Sequence, residues 1–282
     1  MSVGWVSPDP DPILGKPSIL GWLRILLRGI PLVILVFGGL AVLLVVRLIE
    51  RPIWGAYRPW TPFIVQIVCR GSLWLLRIRL VRRGQIMKEH GAIVANHSSW
   101  LDIFVLNACT RVYFVAKAEV AGWFAIGWLA RATGTIFIER RREQAVAQRE
   151  QLAERLDIGH KLLFFPEGTS TDGCRVLPFK STLFEALYVV QANDLWVQPV
   201  SVSYLAPKGC DPRVYGWWGG MPFAPHLLAL LALGKTGQVE VTFHVPVSVD
   251  ACTDRKMLAK KTGDIVNVGL GRFLSPVDRV VD

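Results

Sequence analysis

The sequence predicts an α/β domain with a largely parallel central sheet flanked by helices, preceded by an N-terminal helical segment that anchors the chain in a membrane. Three observations carry this. After Arg83-Gly84, short apolar runs alternate with longer amphipathic ones, the pattern of strands alternating with helices. An uncharged run of 18 residues, Gly29 to Val46, lies near the N-terminus. Of the 282 residues, 52% are hydrophobic and 19% charged, and the mean hydropathy of +0.37 is too apolar for a typical soluble enzyme.

The N-terminal elements come first. The leader SVGWVSPDPDP is acidic, whereas a cleavable signal peptide wants a basic start, so Gly29–Val46 is expected to remain as an anchor. Nine Lys and Arg fall between residues 47 and 88, against three before residue 29, so a spanning run would leave the C-terminal side in the cytoplasm. Pro31 and Gly38-Gly39 weaken a straight span, which keeps a tilted or re-entrant helix open. The next stretch, PWTPFIVQIVCRGSLWLLRIRLV, mixes Trp, apolar residues and Arg and reads as an interfacial helix. Residues 1–85 are therefore assigned to the anchor and 86–282 to the α/β domain.

Within that domain, Ala92–Asn96, Val112–Ala116, Thr135–Ile138, Leu162–Phe165, Trp196–Tyr204 and Val239–Val245 read as strands. Arg141–Leu156 and Ser181–Gln191 carry apolar residues on one helical face. The later run VYGWWGGMPFAPHLLALLAL, with Trp217 and Trp218, suits either a surface dipping into lipid headgroups or a buried helix.

Charge and composition exclude several classes. The balance of 32 Lys plus Arg against 22 Asp plus Glu gives +10, which suits a polyanionic partner: nucleic acid, anionic lipid or an acidic carrier protein. Nucleic acid explains neither the apolar run nor the lack of a recognisable binding motif. The five cysteines are scattered with no CxxC, and the five histidines form no HExxH, so neither a disulfide framework nor a metal or other cofactor is expected. Gly234-Lys235-Thr236 lacks the upstream Gly of a P-loop, and Gly168-Thr169-Ser170-Thr171-Asp172 lacks the second Gly of a nucleophile elbow.

The chemistry points to VANHSSWLDI, Val94 to Ile103. His97 and Asp102, five apart, would not share a face of one helix. They meet if His97 lies in a strand-to-helix turn and Asp102 in the first helical turn, with Ser98 or Ser99 as N-cap. That gives a base with a carboxylate to fix its tautomer, and no evident Ser or Cys nucleophile accompanies it. The hydroxyl to be activated would then belong to the substrate. Taken alone, the spacing fits a helix-capping turn more readily.

Three further blocks come after it in order: GTIFIERR (Gly134–Arg141), LLFFPEGTSTDG (Leu162–Gly173) and VQPVSVSY (Val197–Tyr204). Together, from about Ala92 to Val247, the four resemble the glycerolipid acyltransferase family, whose bacterial prototype is 1-acylglycerol-3-phosphate acyltransferase. The resemblance implies a membrane enzyme that moves a fatty acyl group from acyl carrier protein or acyl-CoA to the hydroxyl of a lysolipid. It implies His97 as general base and Asp102 as its orienting partner. It implies acceptor binding by Arg140, with Glu167, Gly168, Thr169, Ser170 and Lys180 around the acceptor, and Pro199 shaping the acyl pocket. It also implies a bacterial inner membrane, with the domain on the cytoplasmic side. One departure matters: the family's FPEGTRS has Arg where this chain has Ser170. Losing a charged hydrogen-bonding partner weakens phosphate binding by roughly 1.5–3 kcal/mol. The form FPEGTSTDG looks like the branch that acylates lyso-ornithine lipid, a phosphate-free acceptor, with lysophosphatidic acid as the alternative.

Overall fold

A computed structural model describes residues 5–12, 15–139, 144–188 and 194–274. The chain opens with α1 (Ile19–Trp54) and α2 (Thr61–Leu75), then alternates β1 (Ile78–Arg83), β2 (Gly91–Ala95), α3 (Leu101–Cys109), β3 (Tyr113–Lys117), α4 (Ile126–Thr133), β4 (Ile136–Ile138), α5 (Ala145–Asp157) and β5 (Leu162–Phe164). It closes with β6 (Trp196–Leu205), α6 (Phe223–Ala232), β7 (Gly237–Phe243), β8 (Val247–Ser248) and α7 (Arg255–Leu274). The sheet order is β1-β7-β6-β2-β5-β3-β4, with β8 on β6. All pairs are parallel except β6 with β7 and β6 with β8, so the largely parallel sheet expected from the sequence is present.

Two-residue periodicity divides the core into two layers. Ile93 and Ala95 face the cluster that includes Ile25, Leu73 and Leu106 from α1, α2 and α3. Ala92 and Val94 face the other, with Leu152 and Leu156 of α5 and Leu258 of α7. Central strand β2 is therefore buried on both sides, which is why AIVA carries no polar residue. Every expected strand is present within a residue or two. Ser181–Tyr188 is a 3-10 helix rather than an α-helix, and Arg140 lies outside the described residues.

The N-terminal region differs most from expectation. The apolar run is the middle of a helix of 36 residues, about 54 Å long, which continues through Pro31. The inward stripe is Gly21, Ile25, Leu32, Leu43 and Glu50, whose spacings of whole turns put them on one face. Its glycines serve close packing: a Cβ on Gly39 would lie 2.4 Å from Val68 Cγ2 of α2, and one on Gly71 of α2 would lie 2.7 Å from Leu35 Cδ2. Both ends of α1 are tied to the rest of the protein. Arg24 Nη1 donates to the Ala232 carbonyl at 3.3 Å, and Arg28 Nη1 to those of Leu231 and Leu233 at 3.1 and 2.7 Å, all at the carboxyl end of α6. At the other end the buried Glu50 carboxylate accepts the Trp60 and Thr61 N–H groups at 2.6 and 2.9 Å, capping α2. The segment RIRLVRR is not interfacial helix. It forms β1, and residues 78–83, on the anchor side of the expected boundary at 85, pair with β7 along their whole length.

Candidate active site

His97 follows β2 directly, at the carboxyl end of a central strand where open parallel sheets place their ligands. The preceding residue ends the strand. Asn96 Nδ2 donates to the Val202 carbonyl at 2.9 Å and its Oδ1 accepts the Val202 N–H at 2.8 Å, so a side-chain amide takes the place of a backbone peptide in the ladder with β6. That frees the main chain at His97 to turn toward α3.

Asp102 sits in the first turn of α3 and is fully buried. Its Oδ2 faces His97 Nδ1 at 2.8 Å and accepts the N–H groups of Ser98 and Ser99 at 2.8 and 3.0 Å. Its Oδ1 accepts the hydroxyl of Tyr204 at 2.7 Å. The expected cap is corrected in part: the helix starts after Trp100, which caps it with no side chain, yet Ser99 Oγ accepts the Leu101 N–H at 3.3 Å, and the Asp102 carboxylate holds the preceding turn through the Ser98 and Ser99 N–H groups. The histidine ring stacks on Phe165, centroids 4.0 Å apart and planes within 14°. Its side chain is 22% exposed, so with Nδ1 held by Asp102 the proton-accepting edge is Nε2.

The loop after β5 closes the site from below. Glu167 is 1% exposed; its Oε1 accepts the His97 N–H and its Oε2 the Leu177 N–H, both at 2.7 Å. Burial pushes its carboxyl up to about 8 against the pull of those two N–H groups, with the nearby Asp102 charge adding to the rise. Gly168 turns the chain with φ of +71°, its N–H bonded to the Phe165 carbonyl at 3.0 Å. Thr171 N–H reaches the His97 carbonyl at 2.9 Å, and Trp217 N–H the Ser98 carbonyl at 2.7 Å. Thr169 and Ser170 are half-buried, and Lys180 is exposed with its N–H on the Pro166 carbonyl at 3.0 Å. On the same loop the buried Asp172 holds Arg175 at two points, Oδ1 to Nε at 3.2 Å and Oδ2 to Nη2 at 2.9 Å.

Sequence reasoning missed two contributors. Tyr204 is 102 residues from Asp102, and only the fold brings them together. The leader also reaches the site: Trp5 N–H lies 3.4 Å from Thr169 Oγ1, and Asp9 pairs with Arg175 at 3.4 Å. Of the two tryptophans singled out, Trp218 is buried against Trp5, while Trp217 packs edge-on against Trp123 and Phe223.

Comparison with known proteins places the chain in one family. Residues 77–203 match the family described as Acyltransferase. A lyso-ornithine lipid O-acyltransferase of Rhodobacter capsulatus is 51% identical over 269 residues, 95% of this chain and 97% of that one. A lyso-ornithine lipid O-acyltransferase of Brucella abortus is 42% identical over 178 residues, 60% of this chain and 66% of that one. Among solved structures, the 1-acyl-sn-glycerophosphate acyltransferase of Thermotoga maritima superposes with a TM-score of 0.64 at 22% identity, covering 90% of this chain and 97% of that one, a likeness of fold.

Proposed function

We propose, from the premise that this chain belongs to the acyltransferase family, that it transfers a fatty acyl group from a thioester to the free hydroxyl of lyso-ornithine lipid. The observation that carries the chemistry is His97 with Nδ1 fixed on Asp102 and Nε2 left open. Nε2 takes the proton of the acceptor hydroxyl as its oxygen attacks the thioester carbonyl. The C–O bond forms, the C–S bond breaks, and the leaving thiolate recovers the proton from the imidazolium. Asp102 stabilises that imidazolium, while the Ser98, Ser99 and Tyr204 donors hold the carboxylate in place. Tyr204 is a positioning residue, since it acts through Asp102.

Glu167 and Gly168 shape the acceptor site by bracing the loop against His97, and Thr169, Ser170 and Lys180 border it. Arg140 supplies the acceptor's anion contact. The acceptor choice is supported by the charge of the loop as well as by the relatives. Where a phosphate would call for a free cation, this loop offers Ser170, and its one arginine, Arg175, is neutralised by Asp172. The donor is acyl carrier protein or acyl-CoA. The outward face of α1 beds residues 1–85 in the inner membrane of a bacterium, with β1 carried over into the catalytic domain on the cytoplasmic side.

The test supplies labelled acyl carrier protein to the detergent-purified protein with lyso-ornithine lipid and lysophosphatidic acid in parallel. Labelled ornithine lipid is expected. Label only in phosphatidic acid would overturn the acceptor assignment.

A further inference from the structure

The amino ends of β3, β4 and β5 lie opposite the catalytic end of the sheet, and a second charged cluster gathers there. Arg58, from the α1–α2 turn, donates through Nη1 to the Ala132 carbonyl at 2.6 Å. Its guanidinium carbon lies 3.0 Å from where a Cβ on Gly134 would sit, a close approach that the glycine, at φ of +85°, leaves unobstructed. Arg155 of α5 donates through Nη2 to the Gly134 carbonyl at 3.2 Å, stacks over Tyr113 at 4.8 Å, and donates through Nε to His160 Nδ1 at 2.7 Å. Arg47 of α1 stands behind them, bonded to Glu50 at 3.2 Å and to the Gly55 carbonyl at 3.0 Å.

This cluster has donors in excess of acceptors. Among the described residues one carboxylate, Glu50, is bonded within it, and that carboxylate also caps α2. The carboxyl end of α4, which Arg58 and Arg155 share, offsets only a fraction of a charge. Among the described residues Arg58 makes one hydrogen bond, with one of its five N–H groups, and it is only partly buried. His160 is 3% exposed; because Nδ1 accepts from Arg155, Nε2 carries the hydrogen, and it finds no acceptor among the described residues. The electrostatics agree: burial together with the neighbouring arginines pulls Arg58 down to about 10 and His160 down to about 3. Arg58 stays charged at neutral pH and the imidazole stays neutral, so like charges crowd a place prepared for an opposite one.

The surroundings say where that charge comes from. Tyr57 stacks on the His160 ring, centroids 6.3 Å apart, and is 50% exposed. Trp54 and Trp60 meet edge to face at 4.7 Å and are 37% and 46% exposed. Exposed Tyr and Trp at the end of a long apolar helix mark the level of lipid headgroups. We propose that Arg58, Arg155 and Arg47 form a binding site for the phosphate of an anionic phospholipid, separate from the catalytic site and at the opposite end of the sheet. Its guanidinium forks suit phosphate oxygens. The lipid source rests on α1 facing the membrane, but the site does not depend on the acyl-transfer reading.

The test reads thermal stability without substrate, so its failure is distinct from a failure of the catalytic assignment. Full-length protein in neutral detergent receives short-chain phosphatidylglycerol, phosphatidylcholine of equal chain length, or inorganic phosphate. Phosphatidylglycerol at about a hundredfold excess over its Kd is expected to raise Tm by about 5 °C. Arg58→Gln should abolish that shift, and Arg58→Lys, which keeps the charge but loses the fork, should reduce it. Arg79→Gln, on exposed β1 at the far edge of the sheet, should leave it intact. An equal shift with inorganic phosphate overturns the lipid source; an equal shift with phosphatidylcholine, or an undiminished one in Arg58→Gln and Arg58→Lys, overturns the site.

Discussion

The two ends of the sheet handle charge in opposite ways. At the carboxyl end, the Asp102 carboxylate is enclosed by His97, two backbone N–H groups and the Tyr204 hydroxyl, and Arg175 is answered by Asp172. At the amino end, three guanidinium groups and an imidazole gather around one bonded carboxylate among the described residues, Glu50, which Arg47 alone of them holds. A site that moves a proton needs its permanent charges balanced, so that the only new charge is the one the reaction creates. A site that holds a ligand can leave its charge unbalanced, because the ligand completes it.

The comparison is broken most directly at His97. His97→Ala should lower kcat by about 10³- to 10⁴-fold while circular dichroism and membrane association stay unchanged. Turnover near the parent rate would move the chemistry elsewhere. Tyr204→Phe sharpens the same end. Removing one donor from a buried carboxylate should cut kcat about tenfold with KM for the acceptor unchanged, as a positioning role requires; a rise in KM alone would make Tyr204 an acceptor contact. Ser170→Arg makes the balanced end resemble the unbalanced one. Its kcat/KM for lysophosphatidic acid should rise about tenfold, measured beside lyso-ornithine lipid, and no change would mean that position 170 does not set the acceptor.

The smallest effect is on stability. Glu167 ionises near 4.5 as an ordinary carboxyl and near 8 in the folded protein. Between those values the folded state keeps a proton that the unfolded chain has released, so stability is highest below about 4.5 and is lost as pH rises toward 8. Glu167→Gln should flatten that decline when Tm is followed from pH 5 to 8, at the cost of one of its two backbone contacts. An unchanged slope in the variant would assign the proton to another group.

Much of the carboxyl end is legible in the sequence because it is local. A run of buried strand residues, a turn and a helix start fall within VANHSSWLDI, and the loop holding Glu167 and Gly168 is continuous. Tyr204 is not legible, since its partner lies on another element and nothing local marks it. The amino-end cluster is hidden for the same reason: Arg47, Arg58, Arg155 and His160 come from separate segments. RIRLVRR misleads in a different way. Its arginines alternate with apolar residues, as snorkelling side chains would, yet an edge strand with one wet face has the same alternation. The full length of α1 is also hidden, because the uncharged run stops at Val46 while the helix continues past Arg47 and Arg51. Glu50, four residues beyond that run, is a buried cap for the next helix.

The double attachment of α1 bears on how a water-soluble form of this enzyme could be made. Cutting the helix away would strip α6 of the covering that Arg24 and Arg28 pin in place and leave the start of α2 without Glu50. Such a truncation would leave a damaged domain rather than a soluble one. The outward residues of the same helix, among them Leu26, Ile30, Ile34, Val45 and Leu48, are half or more exposed, whereas Ile25, Leu32 and Leu43 on the inner face are under 10% exposed. Repainting the outer set with Glu, Lys and Gln while leaving the inner set alone would keep the fold and discard only its affinity for lipid.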